Sequence, residues 1–137
     1  MIHRIAPENV TGEDVRWLVK ATDWHYGGYS AITVMEEALQ GLVQLWRMDG
    51  ETKGILVTYI NVHPAGKELF IQWVAGKHFI KDVENIKAKL EQFAQEQNCR
   101  WIGGAVNSKG LEHIYTRCFG AKQRDRLFNI EVDYGRT

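Results

Sequence analysis

The residues most suited to chemistry lie where an apolar run, Glu68–Ala75, breaks at Gly76-Lys77-His78-Phe79-Ile80-Lys81-Asp82 and an amphipathic segment begins. The first N–H groups of a helix have no intrahelical acceptor and sit at the positive end of its dipole. A strand that ends on glycine and feeds a helix therefore offers a cradle for a phosphate. Lys77, His78 and Lys81 would add positive charge to it. The alternative is a plain strand-to-helix turn with solvated lysines.

A second group is Trp24-His25-Tyr26-Gly27-Gly28-Tyr29, where aromatics stand on a glycine-hinged segment. Such rings can line or close a pocket, and they can equally pin a loop to the core. The five histidines are widely separated, and none stands at a ligand spacing from Cys, Asp or Glu, so no metal site is expected. Cys99 and Cys118 form no CxxC pair, and nothing near Cys118 reads as a base that would activate it.

Other chemistry is disfavoured by composition. Lys and Arg number 17, as do Asp and Glu, so no net charge draws the chain to nucleic acid or an anionic membrane. The basic residues Lys109, Arg117, Lys122, Arg124 and Arg126 lack interleaved aromatics and read as a solvated face. No run is long enough to cross a membrane, and Met1–Val10 does not read as a signal peptide. A cytoplasmic, reduced protein is the expectation. Five tryptophans imply a large aromatic core or a pocket wall.

The elements that must position these groups follow from periodicity. Ile2–Ile5 reads as a short strand stopped by Pro7, and Thr11 with Asp14 as a capping box opening a helix with Val15, Leu18 and Val19 inward. A second helix over Ile32–Gln40 would turn Ile32, Met35 and Leu39 to one side. Leu42–Met48 is a strand, Asp49-Gly50 the strongest turn signal, and Ile55–Val62 and Glu68–Ala75 an antiparallel hairpin about His63–Gly66. Both hairpin strands are apolar on nearly every position, which predicts helices on each face of the sheet.

Asp82–Gln97 has the clearest helical period, with Val83, Ile86, Leu90, Phe93, Ala94 and Gln97 on one face and Glu84, Lys87, Glu91, Gln95 and Glu96 on the other. Asn98 is a left-handed stop. Arg100–Val106 then runs parallel to Glu68–Ala75, because a helix crosses between them. A helix over Ser108–Cys118 and a strand over Leu127–Tyr134 complete one α/β (α+β) domain spanning residues 1–137. The order is β-α-α-β-β-β-α-β-α-β, a mixed and mostly antiparallel sheet covered on both faces.

That order, and the run from Glu68 to Gly120, resemble the GNAT family of acyl-CoA N-acyltransferases over nearly the whole chain. Asn107, Tyr115 and Phe119-Gly120-Ala121 echo the family's Asn…Tyr…Gly-Phe pattern, displaced by about one position. The family's pyrophosphate loop usually reads Arg/Gln-x-x-Gly-x-Gly/Ala. Here it has one glycine, with Phe79 and Ile80 where small residues are usual. The hairpin His63–Gly76 is also similar to that of small GNAT-like proteins encoded by tailed bacteriophages.

The resemblance implies acetyl-CoA as cofactor, its pantetheine arm lying where the strand Glu68–Ala75 splays from its parallel neighbour. Val74, Ala75, Gly76, Lys77, His78, Lys81 and Asn107 would contact it. Tyr115 is then the candidate acid that protonates the leaving thiolate, its alternative being an inward packing role beside Leu111 and Ile114. Glu68 is the nominal base, its alternative a solvated turn residue. Trp24, His25, Tyr26 and Tyr29 would border the acceptor, a small-molecule or peptide amine. The other reading is a non-catalytic GNAT-like module, phage-encoded, with a protein partner or virion components and a place in the virion or host cytoplasm. A homodimer is compatible with either.

Overall fold

A computed structural model of the chain describes residues 1–22, 30–105, 122–124, 127–132 and 134. In chain order the elements are β1 (Ile2–Ile5), α1 (Gly12–Thr22), α2 (Ala31–Leu39), β2 (Gln44–Met48), β3 (Lys53–His63), β4 (Gly66–Lys77), α3 (Val83–Glu96), β5 (Cys99–Ala105), β6 (Lys122–Arg124) and β7 (Leu127–Glu131). Short 3-10 turns cover Pro7–Asn9 and Phe79–Asp82. The strands form one sheet in the order β1-β2-β3-β4-β5-β7-β6. Among the described pairs only β4 and β5 run parallel; the others are antiparallel. The expected mixed, mostly antiparallel sheet is present. The helix expected over Ser108–Cys118 lies outside the described residues. The closing strand is shorter than expected, and β6 folds back onto it as an unforeseen extra strand.

Local signals set the boundaries. Thr11 donates from its backbone N–H and its hydroxyl to Asp14 Oδ2, at 2.9 and 3.0 Å, and the Asp14 N–H donates back to Thr11 Oγ1 at 3.3 Å. Both halves of the capping box are made. Ser30 caps α2 by accepting from the Thr33 N–H at 3.3 Å. Asn98, with φ 57, ends α3 in the left-handed region.

The two faces of the sheet carry separate cores. On one, α3 packs Val83, Ile86, Leu90 and Ala94 against Ile2, Trp46, Met48, Leu56, Leu69, Ile71 and Ile102. Trp46 meets the Phe93 ring edge-on at 5.3 Å between centroids, and its Nε1 donates to Thr58 Oγ1, which donates to Gln44 Oε1. That chain satisfies the polar groups of a ring that is 1% exposed. On the other face, α1 and α2 supply Leu18, Ala21, Ala31, Val34 and Ala38 against Leu45, Ile55, Val57 and Trp73.

Here the helical faces differ from expectation. Val15 and Val19 are exposed, as are Ile32 and Leu39. Of the predicted inward set of α1 only Leu18 is buried, and in α2 the buried residues are Ala31, Val34 and Ala38. In α2 the alanines let a short helix lie close to the sheet, so the stripe of smaller side chains wins over the stripe of larger ones. Glu91, placed on the polar face of α3, is also buried.

Candidate functional site

The site begins where two neighbouring strands separate. Lys67–Ile71 of β4 lies in parallel register with Cys99–Gly104 of β5, ending on the pair Ile71 and Gly104. Beyond it, among the described strands, Gln72–Lys77 pairs only with β3. Residues in an extended strand turn their N–H and C=O groups alternately to its two sides. The far half of β4 therefore turns alternate backbone groups to a side where no described strand pairs with it.

A bulge produces the fork. Val57 faces Trp73 while Thr58 faces Ile71, so Gln72 is an extra residue with no opposite number on β3. A bulge bends its strand and strengthens the local twist, which swings the far half of β4 away from β5. On β5 the last pairs before the strands part are made by Gly103 and Gly104, which carry no side chain. On the bulge residue itself, the Gln72 Oε1 atom is buried without a hydrogen-bond partner. An unmatched acceptor at that depth costs about 1–3 kcal/mol, and a bound donor would relieve it.

The end of β4 is built by a close approach. Gly54 of β3 lies opposite Gly76, with φ +156. A Cβ on Gly54 would stand 2.2 Å from the Ala75 carbonyl oxygen, and one on Gly76 would stand 2.4 Å from the Lys53 oxygen and 3.0 Å from the Phe79 ring. The lone glycine of the turn is therefore required by β3. Phe79 packs against the α3-side core, so its bulk is turned inward.

The turn itself combines charge with a constrained backbone. His78 adopts φ 63 and ψ 37 without being glycine. The buried Thr52, from the loop after β2, donates its hydroxyl to the His78 carbonyl at 2.7 Å, and the Lys81 N–H donates to the same oxygen at 3.2 Å. Lys77, His78 and Lys81 are exposed, with Lys81 Nζ 3.8 Å from Glu51. Asp82 precedes α3; its Oδ1 accepts from the Asn85 amide at 2.6 Å and its Oδ2 lies 3.0 Å from the Met1 amine. The Asn85 hydrogen bond holds the Asp82 carboxyl below its ordinary range against the opposing effect of burial, and the amine adds to it.

Of the residues proposed from sequence, Val74, Ala75, Gly76, Lys77, His78 and Lys81 come together on this strand and turn. Val74 is half-buried on the α3 side and Ala75 on the α1 side. Glu68 is placed differently, at the closed end where β4 and β5 still pair, with Oε1 3.2 Å from His63 Nε2. That is four residues before Gln72, or about 13 Å along a strand. Tyr115, Asn107, Trp24, His25, Tyr26 and Tyr29 lie outside the described residues. Sequence reasoning missed Gln72 and Thr52. Gln72 had a signal, being the one polar residue within Leu69–Ala75. Thr52 had none, since a threonine in a turn is ordinary.

A second concavity of about 240 Å³ opens at the start of α1, walled by Asp14, Trp17, Arg47 and Lys53. Burial would raise the Asp14 carboxyl, but Arg47 and both Thr11 donors outweigh that and hold it below its ordinary range. Arg47 Nε lies 3.1 Å from Asp14 Oδ1, and its Nη2 also reaches the Asn9 carbonyl. With its acceptors engaged, Asp14 ties α1 to β2. Among the described residues no group of three His, Cys, Asp or Glu side chains could hold a metal ion.

Comparison with solved structures decides the fold. No protein-family profile matches the chain, and no curated protein matches its sequence. A probable acetyltransferase superposes with a TM-score of 0.69 at 8% identity, over 91% of each chain. A chain of the NatC complex bound to Gag peptide and CoA gives 0.63 at 15% identity, over 94% of each. A GNAT-family protein from Desulfovibrio desulfuricans gives 0.59 at 12% identity, over 97% of this chain and 99% of that one. The chain has the GNAT fold. Identities this low mean that the likeness is one of fold, held by burial pattern and topology and not by shared residues. No described helix is long and apolar enough to cross a membrane.

Proposed function

We propose that this GNAT-fold chain is an acyl-CoA-dependent N-acyltransferase, acting by direct attack of an amine within a ternary complex. The parting of β4 from β5 immediately before the turn into α3 carries the proposal. Several features of the fork suit such a cofactor. The far half of β4 offers backbone groups to an extended amide-bearing arm, and the unmatched Gln72 Oε1 can accept from one of its N–H groups. The turn offers Lys77, His78 and Lys81 to balance negative charge.

Val74, Ala75, Gly76, Lys77, His78 and Lys81 would hold acyl-CoA, with Asn107 beside them. When bound, it supplies an activated thioester, whose acyl carbon forms a C–N bond to the amine as the C–S bond breaks. Tyr115 is the proposed donor of the proton that the departing sulfur takes up. Trp24, His25, Tyr26 and Tyr29 are the proposed border of the acceptor, a small-molecule or peptide amine. Glu68 is engaged with His63 at the closed end, so the proposal gives the base role to no described residue. Holding both reactants in one frame is the main catalytic contribution expected of such a site.

Titration with acetyl-CoA while following thermal unfolding tests the reading, because a ligand that binds only the folded chain raises its melting temperature. A rise of several degrees at saturation is expected, followed by label transfer from radioactive acetyl-CoA to amines. An unchanged melting temperature at millimolar acetyl-CoA would sink the proposal and leave a non-catalytic GNAT-fold module.

A further inference from the structure

His78 is the one residue of the β4–α3 turn with a left-handed backbone, and it is not glycine. That conformation costs an L-residue roughly 1–2 kcal/mol, so something outside the residue must hold it. Thr52 is placed to do so. It is 1% exposed, it stands in the loop between β2 and β3, and its hydroxyl is 2.7 Å from the His78 carbonyl oxygen. The peptide linking His78 to Phe79 is trans, as is every described peptide bond. In a trans peptide the N–H points opposite to the C=O. With the carbonyl drawn to a buried hydroxyl, the Phe79 N–H is directed away from Thr52, in a turn where Lys77 and Lys81 are exposed.

We propose that Thr52 is a positioning residue for an anion at this turn, its hydroxyl locking His78 in the left-handed conformation that presents the Phe79 N–H. The inference rests on the cofactor reading above, with the pyrophosphate of CoA as the anion. The same sheet end supplies further support for a rigid turn: Gly54 and Gly76 are in backbone contact, and Glu51 reaches Lys81 from the same loop. Thr52 thus acts through the turn without touching substrate.

Three variants decide the matter. Thr52→Val keeps the shape and removes the hydroxyl, Thr52→Ser keeps the hydroxyl, and His78→Gly makes the left-handed conformation cheap without a clamp. Affinity for CoA is to be measured beside that for pantetheine, which has no pyrophosphate, together with amide hydrogen exchange across residues 76–82. Thr52→Val should weaken CoA about tenfold, the worth of one good hydrogen bond to a charged group, and leave pantetheine unchanged. Exchange should quicken in this turn alone. Thr52→Ser should behave as the parent, and adding His78→Gly to Thr52→Val should restore CoA binding. An unaltered CoA affinity in Thr52→Val, or a loss shared equally with pantetheine, would overturn the inference. If the parent chain binds no CoA, the acyltransferase reading falls by itself. Exchange then judges the clamp: parent-like rates in Thr52→Val refute it, and faster rates confined to residues 76–82 uphold it.

Discussion

The two halves of β4 are built from similar residues and do opposite things. Lys67–Ile71 is held by β3 on one side and β5 on the other, with Leu69 and Ile71 almost wholly buried. Among the described strands Gln72–Lys77 is held by β3 alone, and Val74, Ala75 and Gly76 are only half-buried. Hydrophobicity does not separate the halves, since apolar side chains run through both. One inserted residue does. The bulge at Gln72 turns a strand that could have paired along its whole length into one whose described pairing with β5 ends at Ile71. The near half is a structural member, and the far half is the part that can take a ligand.

The largest predicted effect strikes the attachment of the far half to β3. Gly54→Ala sets a Cβ against the Ala75 carbonyl at 2.2 Å in a backbone region that L-residues avoid. Overpacking against backbone and local strain together should cost about 4 kcal/mol in urea unfolding. A loss below about 1 kcal/mol would show that β3 and β4 separate easily there. Next comes the contrast of the halves themselves. Leu69→Ala should cost about 3 kcal/mol, as for a fully buried leucine, and Val74→Ala about 1 kcal/mol. Equal losses would erase the distinction. A smaller effect concerns the turn beyond the far half. Because Asp82 is held below its ordinary range, its stabilisation is present above the unfolded carboxyl value near 4 and is lost as pH falls through the lower folded value. Asp82→Asn should cost about 1 kcal/mol at pH 6, and the difference should vanish toward pH 2.

The contrast between the halves also explains what was legible in the sequence. The Asp49-Gly50 turn, the hairpin, α3 and the parallel course of β5 depend on short-range signals and on one topological rule, and all were readable. The Thr11 and Asp14 pairing was readable for the same reason. The faces of α1 and α2 were not, because only contact with the sheet selects Asp14, Leu18, Ala21 and Thr22 in the one and the alanine-rich stripe in the other. Gly76 read as a phosphate glycine, yet the neighbour that demands it is the Lys53 carbonyl of β3, more than twenty residues earlier. The bulge had no local marker, since it consists of a mismatch in register between two strands. Long-range steric demands of this kind leave little trace in residue spacing.

The smallest change in stability should accompany the sharpest test of the fork. Gln72→Leu keeps the length of the side chain and removes an acceptor that is buried without a partner. Deleting an unsatisfied polar group relieves its desolvation cost, so the variant should match the parent or exceed it by up to about 1 kcal/mol. If the acceptor is kept for a ligand, the same substitution should weaken acetyl-CoA binding several-fold. Gain in stability with loss of binding is the signature of a residue retained for function at the expense of the fold. A clear loss of stability would instead make Gln72 a structural part of the bulge. In that event the far half of β4 would be held open by its own packing, and the difference between the halves would owe nothing to a ligand.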